Sequence, residues 1–285
     1  MRLGRYGIWN SELGGGDAST PGERAEAAQE LESLGFRALW LGGSRDVSDA
    51  APLIEATSSL VVATGILSIW QHDAAGVAAR HTALSAAHPG RFILGIGASH
   101  ALLASDYHRP YSSMVDYLDA LDAAPTPVPA TERVLAALGP KMLRLARDRS
   151  AGAHPYLVNP EHTRQARAIL GPDALLAPEM KVVLETTADR ARPLARAYLS
   201  RYLEMPNYTN NFVRLGFSED DFRDGGSDRL IDTVFAWGDD ATIRRRVEEF
   251  HDAGADHVAL QVVPGPDSAG LPRAGWRRLA ELLPQ

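Results

Sequence analysis

Short apolar runs alternate with amphipathic helical stretches along the whole chain of 285 residues. The runs that read as strands cover 6–9, 36–41, 60–67, 91–95, 133–137, 154–158, 181–185 and 257–263. Strands that alternate with helices pair in parallel, so this order predicts an α/β fold, a (β/α)₈ TIM barrel. We expect a single domain over 1–285. A long helical stretch, 188–235, predicts an insertion between strands 7 and 8.

The main alternative is an open, doubly wound sheet with a dinucleotide site. Its fingerprint would place three glycines at the first turn between a strand and a helix. The stretch RFILGIGASH has Gly95 and Gly97 after a strand, but His100 stands where a third glycine would be. The pattern therefore favours the barrel, with Gly97 and the residues after it at the carboxyl end of a strand, where barrels bind ligands.

Composition limits the partners and the chemistry. The net charge is −7, which does not favour nucleic acid or an anionic membrane surface as a partner. Without cysteine there are no disulfides and no thiolate ligands or nucleophiles. No signal-peptide pattern or membrane-length apolar run occurs, so we expect a cytoplasmic protein that acts on a small molecule.

The expected strand ends are rich in glycine and apolar residues and poor in carboxylates. They show no metal-ligand spacing, so we expect no metal site. An apolar slot of this kind suits a flat aromatic cofactor. His100 is either a general acid–base at this site or a loop histidine without a chemical role. Trp70 lies past a strand end and is either a ring-stacking or a core residue. Tyr208, in the insertion, either covers the site or caps a helix.

The stretch ALGPK predicts an anion site. Gly139 is the expected N-cap of a helix, and Pro140 its first residue. The free N–H groups of a helix amino end favour an anion, and Lys141 in the first turn is sensible if a phosphate binds there. The alternative is an ordinary barrel turn with a surface lysine.

These residues resemble the luciferase-like monooxygenase superfamily, and more closely its actinobacterial branch that uses the deazaflavin coenzyme F420. The matching segments cover nearly the whole chain in the family's order: GFRALWLGG, ATGILSIW, HPGRFILGIGASHA, RVLAALGPKMLRLARD, GAHPYLVNPEHT and ADHVALQVV. The resemblance implies a luciferase-like (β/α)₈ barrel with an insertion before the last strand, and homodimers are common among its members.

The resemblance also implies where the cofactor binds. A bulge after strand three, usually with a non-prolyl cis peptide, backs the deazaflavin ring, and here it falls at Gly65, Ile66, Leu67 and Ser68. The ring's other neighbours are then Gly97, Ala98 and Ser99. The phosphate is held after strand five and at the start of the next helix, and here those positions are Ala137, Leu138, Gly139, Pro160, His162 and Thr163. The substrate pocket is expected at Trp9, Gly43, Trp70 and Tyr208.

The expected activity is hydride transfer between the C5 position of F420 and a small organic substrate, with His100 handling the proton. The chain departs from many relatives: Gly42-Gly43-Ser44 stands where they carry Asp or His, and Leu138 stands where they carry a second glycine. Two alternatives stay open. One is an FMN-dependent monooxygenase that uses oxygen, and the other is a barrel that binds a cofactor without turnover.

Overall fold

The computed structural model describes residues 3–14, 19–44, 46–99, 107–265 and 270–283. The strands of this part pair in parallel in one sheet. They are β1 Tyr6–Asn10, β2 Ala38–Gly42, β3 Val61–Gly65, β4 Leu67–Ser68, β5 Phe92–Gly97, β6 Arg133–Leu135, β7 Gly152–Ala153, β8 Leu175–Leu176, β9 Glu179–Val183, β10 Phe235–Trp237 and β11 Val258–Val262.

Helices follow most strands and pack on the outside of the sheet. They are α1 Pro21–Ser33, α2 Ala51–Glu55, α3 Ala74–Ala87, α4 Pro110–Asp122, α5 Pro140–Arg149, α6 Pro160–Leu170, α7 Ala188–Leu203, α8 Pro206–Arg214, α9 Asp228–Val234, α10 Asp240–Asp252 and α11 Arg273–Leu282, with 3₁₀ turns at Val47–Ala50, Ala130–Glu132 and Glu219–Gly225. Within the described ranges, no helix combines the length and the apolar character that crossing a bilayer requires.

The sheet closes into a barrel through a strand in two pieces. β8 pairs with β7, and β9, which begins three residues after β8 ends, pairs with β11. β11 pairs in turn with β1, with Tyr6 opposite Val258. The α/β barrel predicted from the sequence is therefore confirmed, and the open sheet is excluded. The helical insertion is also present as α7, α8 and α9 between β9 and β11.

Three apolar layers hold the fold together. One lies between the sheet and the surrounding helices, and another fills the barrel interior around Trp9 and Trp40. The third packs the insertion helices, including Leu199 and Phe212, against the carboxyl end of the barrel. The insertion thus covers the end at which parallel barrels place their sites.

Local end signals predicted from the sequence are present. Thr20 and Glu23 form a capping box at α1, and the Asn159 side chain caps α6. Gly139 is the N-cap of α5, and no side chain caps this helix. The amino end of α5 consequently keeps its N–H groups free of side-chain acceptors.

Some predicted elements are wrong. Strand 154–158 is in fact β7 at Gly152–Ala153, because Pro155 has no N–H to donate and Leu157 adopts a left-handed φ of 59°. The sequence pattern also predicts a helix at 49–59, where the structure has a 3₁₀ turn followed by the short α2. The strand predicted at 60–67 is divided into β3 and β4 at Ile66. The sequence pattern did not predict β10, which begins at the last residue of the stretch that reads as helical.

Candidate functional site

The carboxyl end of β3 carries a bulge at the position that the resemblance implies. The Gly65–Ile66 peptide is cis, and the chain then continues as β4, which pairs with β5. Leu67 and Ser68 are buried, whereas Ile66 is half-buried. Ile66 lies at the carboxyl end of the barrel, which we call the barrel mouth. Ile66 is therefore the side chain of this bulge that a ring could contact.

Gly95 and Gly97 make room for the protein's own atoms rather than for a ligand. A Cβ on Gly95 would lie 2.0 Å from the Thr64 carbonyl oxygen, and one on Gly97 would lie 2.9 Å from Cδ1 of Ile66. The Thr64 hydroxyl also donates to the Gly95 carbonyl oxygen at 2.7 Å. The Ile66 side chain therefore occupies the space beside Gly97, and the expectation that Gly97 lies next to a cofactor ring stays a prediction.

Trp9 supports the bulge from inside the barrel. Its Nε1 donates to the Gly65 carbonyl oxygen at 3.1 Å, and its ring covers Gly42, where a Cβ would lie 2.2 Å from the indole. The ring of Tyr156 contacts the indole at a centroid distance of 5.1 Å. Trp9 is 6% exposed, so its main contacts are with the barrel interior.

The other residues expected near a ring or substrate lie around this mouth. Trp70 is half-buried and donates from Nε1 to the Ala98 carbonyl oxygen, and its ring contacts Tyr107 and His108. Ala98 and Ser99 are half-buried, and Gly43 is exposed with a left-handed φ of 61°. His100, the expected proton-transfer residue, lies outside the described residues.

The amino end of α5 meets a cation from the insertion. Nη2 of Arg214, on α8, lies 3.8 Å from the position that a Cβ of Gly139 would take. Leu138 and Gly139 are half-buried, and Ala137 is buried. A positive side chain therefore stands beside free N–H groups, the arrangement that binds an anion.

Asn211 adds a further donor at this place. Its Oδ1 accepts from Nη2 of Arg214 at 3.3 Å, whereas its Nδ2 is buried without a partner. Buried N–H groups are nearly always paired, so an unpaired one indicates an acceptor that binds there. We call Arg214, Asn211 and the amino end of α5 the anion cradle. Nothing in the sequence around Asn211 or Arg214 distinguishes them from other polar helix residues.

Side chains at the start of α6 bond backbone carbonyl groups, and one of these bonds reaches the segment just before α5. Nε2 of His162 bonds the Leu138 carbonyl oxygen at 2.9 Å, and the Thr163 hydroxyl donates to the Asn159 carbonyl oxygen at 3.2 Å. Burial lowers the pKa of His162 to about 4, and the charge of Arg214 acts in the same direction. A neutral His162 therefore ties the two helix starts together. Pro160 occupies the first position of α6.

Aromatic residues fill the space between the mouth and the insertion. Tyr208, on α8, is buried and packs against Tyr156 and Tyr202. The hydroxyl of Tyr156 lies 2.6 Å from that of Tyr198 and 3.1 Å from that of Tyr202. These four residues form the tyrosine cluster. Tyr208 thus packs α8 against this cluster, next to the cradle.

A cavity of about 880 Å³ lies at the opposite end of the barrel, lined among others by Leu3, Ile93, Val134 and His257. The amino ends of barrel strands contribute to stability rather than to catalysis. Across 3–14, 19–44, 46–99, 107–265 and 270–283, no three potential ligand side chains come together as a metal site would require.

A family model described as luciferase-like monooxygenase matches residues 1–257. No curated protein sequence matches the chain. Among solved structures, the chain is similar to an F420-dependent secondary alcohol dehydrogenase in complex with an F420–acetone adduct, with 15% identity, 98% of each chain covered and a TM-score of 0.74.

Two further structures extend the comparison. The coenzyme F420-dependent tetrahydromethanopterin reductase of Methanopyrus kandleri shares 15% identity over 98% of each chain, with a TM-score of 0.75. The oxygenating constituent of 3,6-diketocamphane monooxygenase from Pseudomonas putida, in complex with FMN, shares 16% identity over 98% of this chain and 96% of that one, with a TM-score of 0.64. At these identities the likeness establishes the fold alone.

Proposed function

Because this chain belongs to the luciferase-like monooxygenase family, we propose that it is a coenzyme F420-dependent oxidoreductase that passes a hydride between the deazaflavin C5 and a small organic substrate. The anion cradle is the observation that carries the proposal. Nη2 of Arg214 lies beside Gly139 at the amino end of α5 and bonds Asn211, whose Nδ2 is buried and unpaired, and this set of donors suits a cofactor phosphate.

The residues present fit the ring as well as the phosphate. Ile66 offers an apolar contact at the mouth, and Trp9 fixes the backbone beneath it through the Gly65 carbonyl oxygen. Trp70 lies beside Ala98 and donates a hydrogen bond to its carbonyl oxygen. When bound, the cofactor supplies hydride chemistry, and the protein supplies orientation and the exclusion of water.

F420 is preferred over FMN because the segments ATGILSIW and HPGRFILGIGASHA resemble the F420-dependent branch. An FMN-dependent monooxygenase is the alternative, since a phosphate in the cradle is common to both cofactors.

Proton transfer has two candidates. His100 stays the prediction from sequence. Among the described residues, Glu12 lies two positions beyond β1, with its Oε2 buried and unpaired, and burial raises its pKa. A carboxyl with a raised pKa is a candidate general acid. We expect His100→Ala or Glu12→Gln to lower turnover more than cofactor affinity; unchanged turnover in either variant removes that residue from the mechanism.

Titration of the purified protein with F420 and with FMN tests the proposal. We expect saturable F420 binding and weaker FMN binding, with no oxygen consumption by the reduced complex. Tight FMN binding with oxygen uptake would support the monooxygenase alternative. F420 binding without turnover of any tested alcohol, aldehyde or ketone would support a binding protein.

We also propose that the protein is a homodimer. Light scattering of the same sample measures its molar mass and checks this.

A further inference from the structure

Glu179 and Lys181 form an ion pair that is fully buried inside the barrel, just below its mouth. Nζ of Lys181 lies 2.7 Å from Oε2 of Glu179, and both side chains are 0% exposed. The same Oε2 accepts from the Leu157 N–H at 3.2 Å, whereas Oε1 of Glu179 is buried without a partner. Such a pair gives little net stability over apolar residues, which calls for another reason to place charges there.

Lys181 is surrounded by aromatic faces. Its Nζ lies 3.7 Å from the ring centroid of Tyr156, 5.2 Å from that of Tyr198 and 5.9 Å from that of Tyr202. Ring faces attract a desolvated ammonium, so they help to keep this buried lysine charged. Burial lowers the pKa of Lys181 and raises that of Glu179, and each charge opposes the shift of the other.

The hydroxyl groups around the pair form a closed circuit. Tyr156 donates to Oε1 of Gln261 at 3.1 Å, and Nε2 of Gln261 donates to the Tyr198 hydroxyl at 2.7 Å. Tyr198 then has its proton for the oxygen of Tyr156, 2.6 Å away. Each of these protons is used within the circuit. The hydroxyl groups therefore have no proton left for a ligand. The ion pair that they surround can act on a ligand only through its charges.

Strand register places the pair one layer beneath the candidate site. Lys181 is opposite Gln261, and Leu260 is opposite Ile8, so Lys181, Gln261 and Trp9 stand at one level on adjacent strands. Trp9 contacts the Tyr156 ring and bonds the Gly65 carbonyl oxygen above it. The rings of Tyr156 and Trp9 link the ammonium to the bulge, and in such apolar surroundings charges act over longer distances than in water.

We propose that the Glu179–Lys181 pair sets the relative affinity of the site for the two redox forms of the bound ring. The inference rests on the proposed hydride-transfer function. A hydride carries one negative charge, so the ring changes charge when it gains or loses one unless a proton follows. Buried charges close to the ring therefore distinguish the two forms, and Lys181 lies two positions closer to the carboxyl end of β9 than Glu179 does.

The test compares dissociation constants for the oxidised and reduced forms of F420, or of FMN if only that binds, at pH 8. Glu179→Gln leaves the ammonium unbalanced, and Lys181→Met removes it. We expect the two single variants to move the ratio of the two constants in opposite directions, each on the order of fivefold, because a unit charge inside the protein is screened less than in water. The double variant should fall between the two. Disturbed packing, by contrast, moves both single variants the same way.

Gln261→Glu provides a probe that keeps the pair intact. Its carboxylate can accept from Tyr156 and Tyr198, so it adds a negative charge at the same level without an unpaired group, and it serves if the single variants do not fold. We expect a shift in the direction of Lys181→Met. Wild-type binding with unchanged ratios in the folded variants overturns this inference alone. A wild-type protein that binds neither cofactor overturns the proposed function, and the inference with it.

Discussion

The indole of Trp9 holds the carbonyl oxygen of Gly65 from inside the barrel, with 3.1 Å between Nε1 and O. The bond joins the first strand to the end of the third. It also links the bulge at the barrel mouth to the tyrosine cluster, because the Trp9 ring system contacts the ring of Tyr156. Trp9, which we expect to line a substrate pocket, therefore also fixes the backbone of the bulge at Gly65.

Replacing this donor should weaken both the fold and the site. In Trp9→Phe the buried Gly65 carbonyl loses its partner, and we expect the free energy of unfolding to fall by about 1–3 kcal/mol. Cofactor affinity should fall severalfold because Ile66 shifts with the backbone. Trp237→Phe is the control, since its Nε1 donates to the Asp232 carboxylate, at 2.9 Å, and not to the bulge. Denaturant unfolding and cofactor titration give the two readouts. Equal effects of both variants on affinity contradict this role of Trp9.

Arg214→Gln tests the anion cradle. A charge-assisted bond to phosphate contributes about 1.5–3 kcal/mol, so we expect cofactor affinity to fall by about tenfold to a hundredfold. The same ring system without its phosphate should bind wild type and variant equally. Arg223→Gln, which removes an exposed cation elsewhere in the insertion, should leave affinity unchanged. Calorimetric titration decides the question. A loss that is equally large for the phosphate-free ring shows that Arg214 does not bind phosphate.

Gly95→Ala should be severely destabilising. The new methyl would lie 2.0 Å from the Thr64 carbonyl oxygen, which belongs to a neighbouring strand and cannot move away without breaking the sheet. We expect a loss of several kcal/mol or failure to fold. Gly22→Ala, in α1, is the matched change, since its Cβ meets nothing within 4 Å and alanine favours a helix. Thermal unfolding of both variants measures the contrast. A folded Gly95→Ala protein as stable as Gly22→Ala would contradict the close approach of β3 to β5.

Stability should fall as the solution becomes mildly acidic. Burial lowers the pKa of His154 to about 3 and that of His257 to about 4, and Trp40 donates to Nε2 of His257 at 3.0 Å, which requires a neutral ring. The unfolded chain binds these protons near pH 6.5, before the folded chain does. Each histidine therefore costs about 1 kcal/mol per pH unit between pH 6.5 and 4.

Urea unfolding at pH 7.5, 6 and 5 checks this slope. His154→Gln removes one of the titrating groups while its amide can still donate towards the Ala177 carbonyl oxygen. The variant should start less stable than wild type and lose less with each pH unit. A wild-type unfolding free energy that stays constant across this range shows that the buried histidines are not held neutral.

Local signals in the sequence predict much of the fold. Thr20, Gly139 and Asn159 are identifiable as helix starts because capping depends on residues within one turn. The division of the third strand at Ile66 follows only from the family resemblance. The extent of the sixth strand is predicted wrongly because Pro155 stands within an apolar run whose other residues favour a strand.

The contacts that define the site depend on distant parts of the chain. Arg214 reaches Gly139 only because α8 packs over the mouth, and no local pattern reports that. The buried pair does leave a trace: Glu179 and Lys181 are two residues apart, so they share one face of a strand that the barrel buries on both faces. Placing two charges on such a face is a signal that a search for buried ion pairs could use.

The pairing of β1 with β11 has a consequence for biosynthesis. One edge of β1 stays unpaired until the segment opposite Tyr6 and Ile8, around Val258 and Leu260, has left the ribosome. Domains form during synthesis in the order in which their contacts become available, and exposed strand edges invite association with other chains. The nascent chain must therefore keep this edge of its first strand from mispairing until β11 has been synthesised, and the barrel cannot close before then.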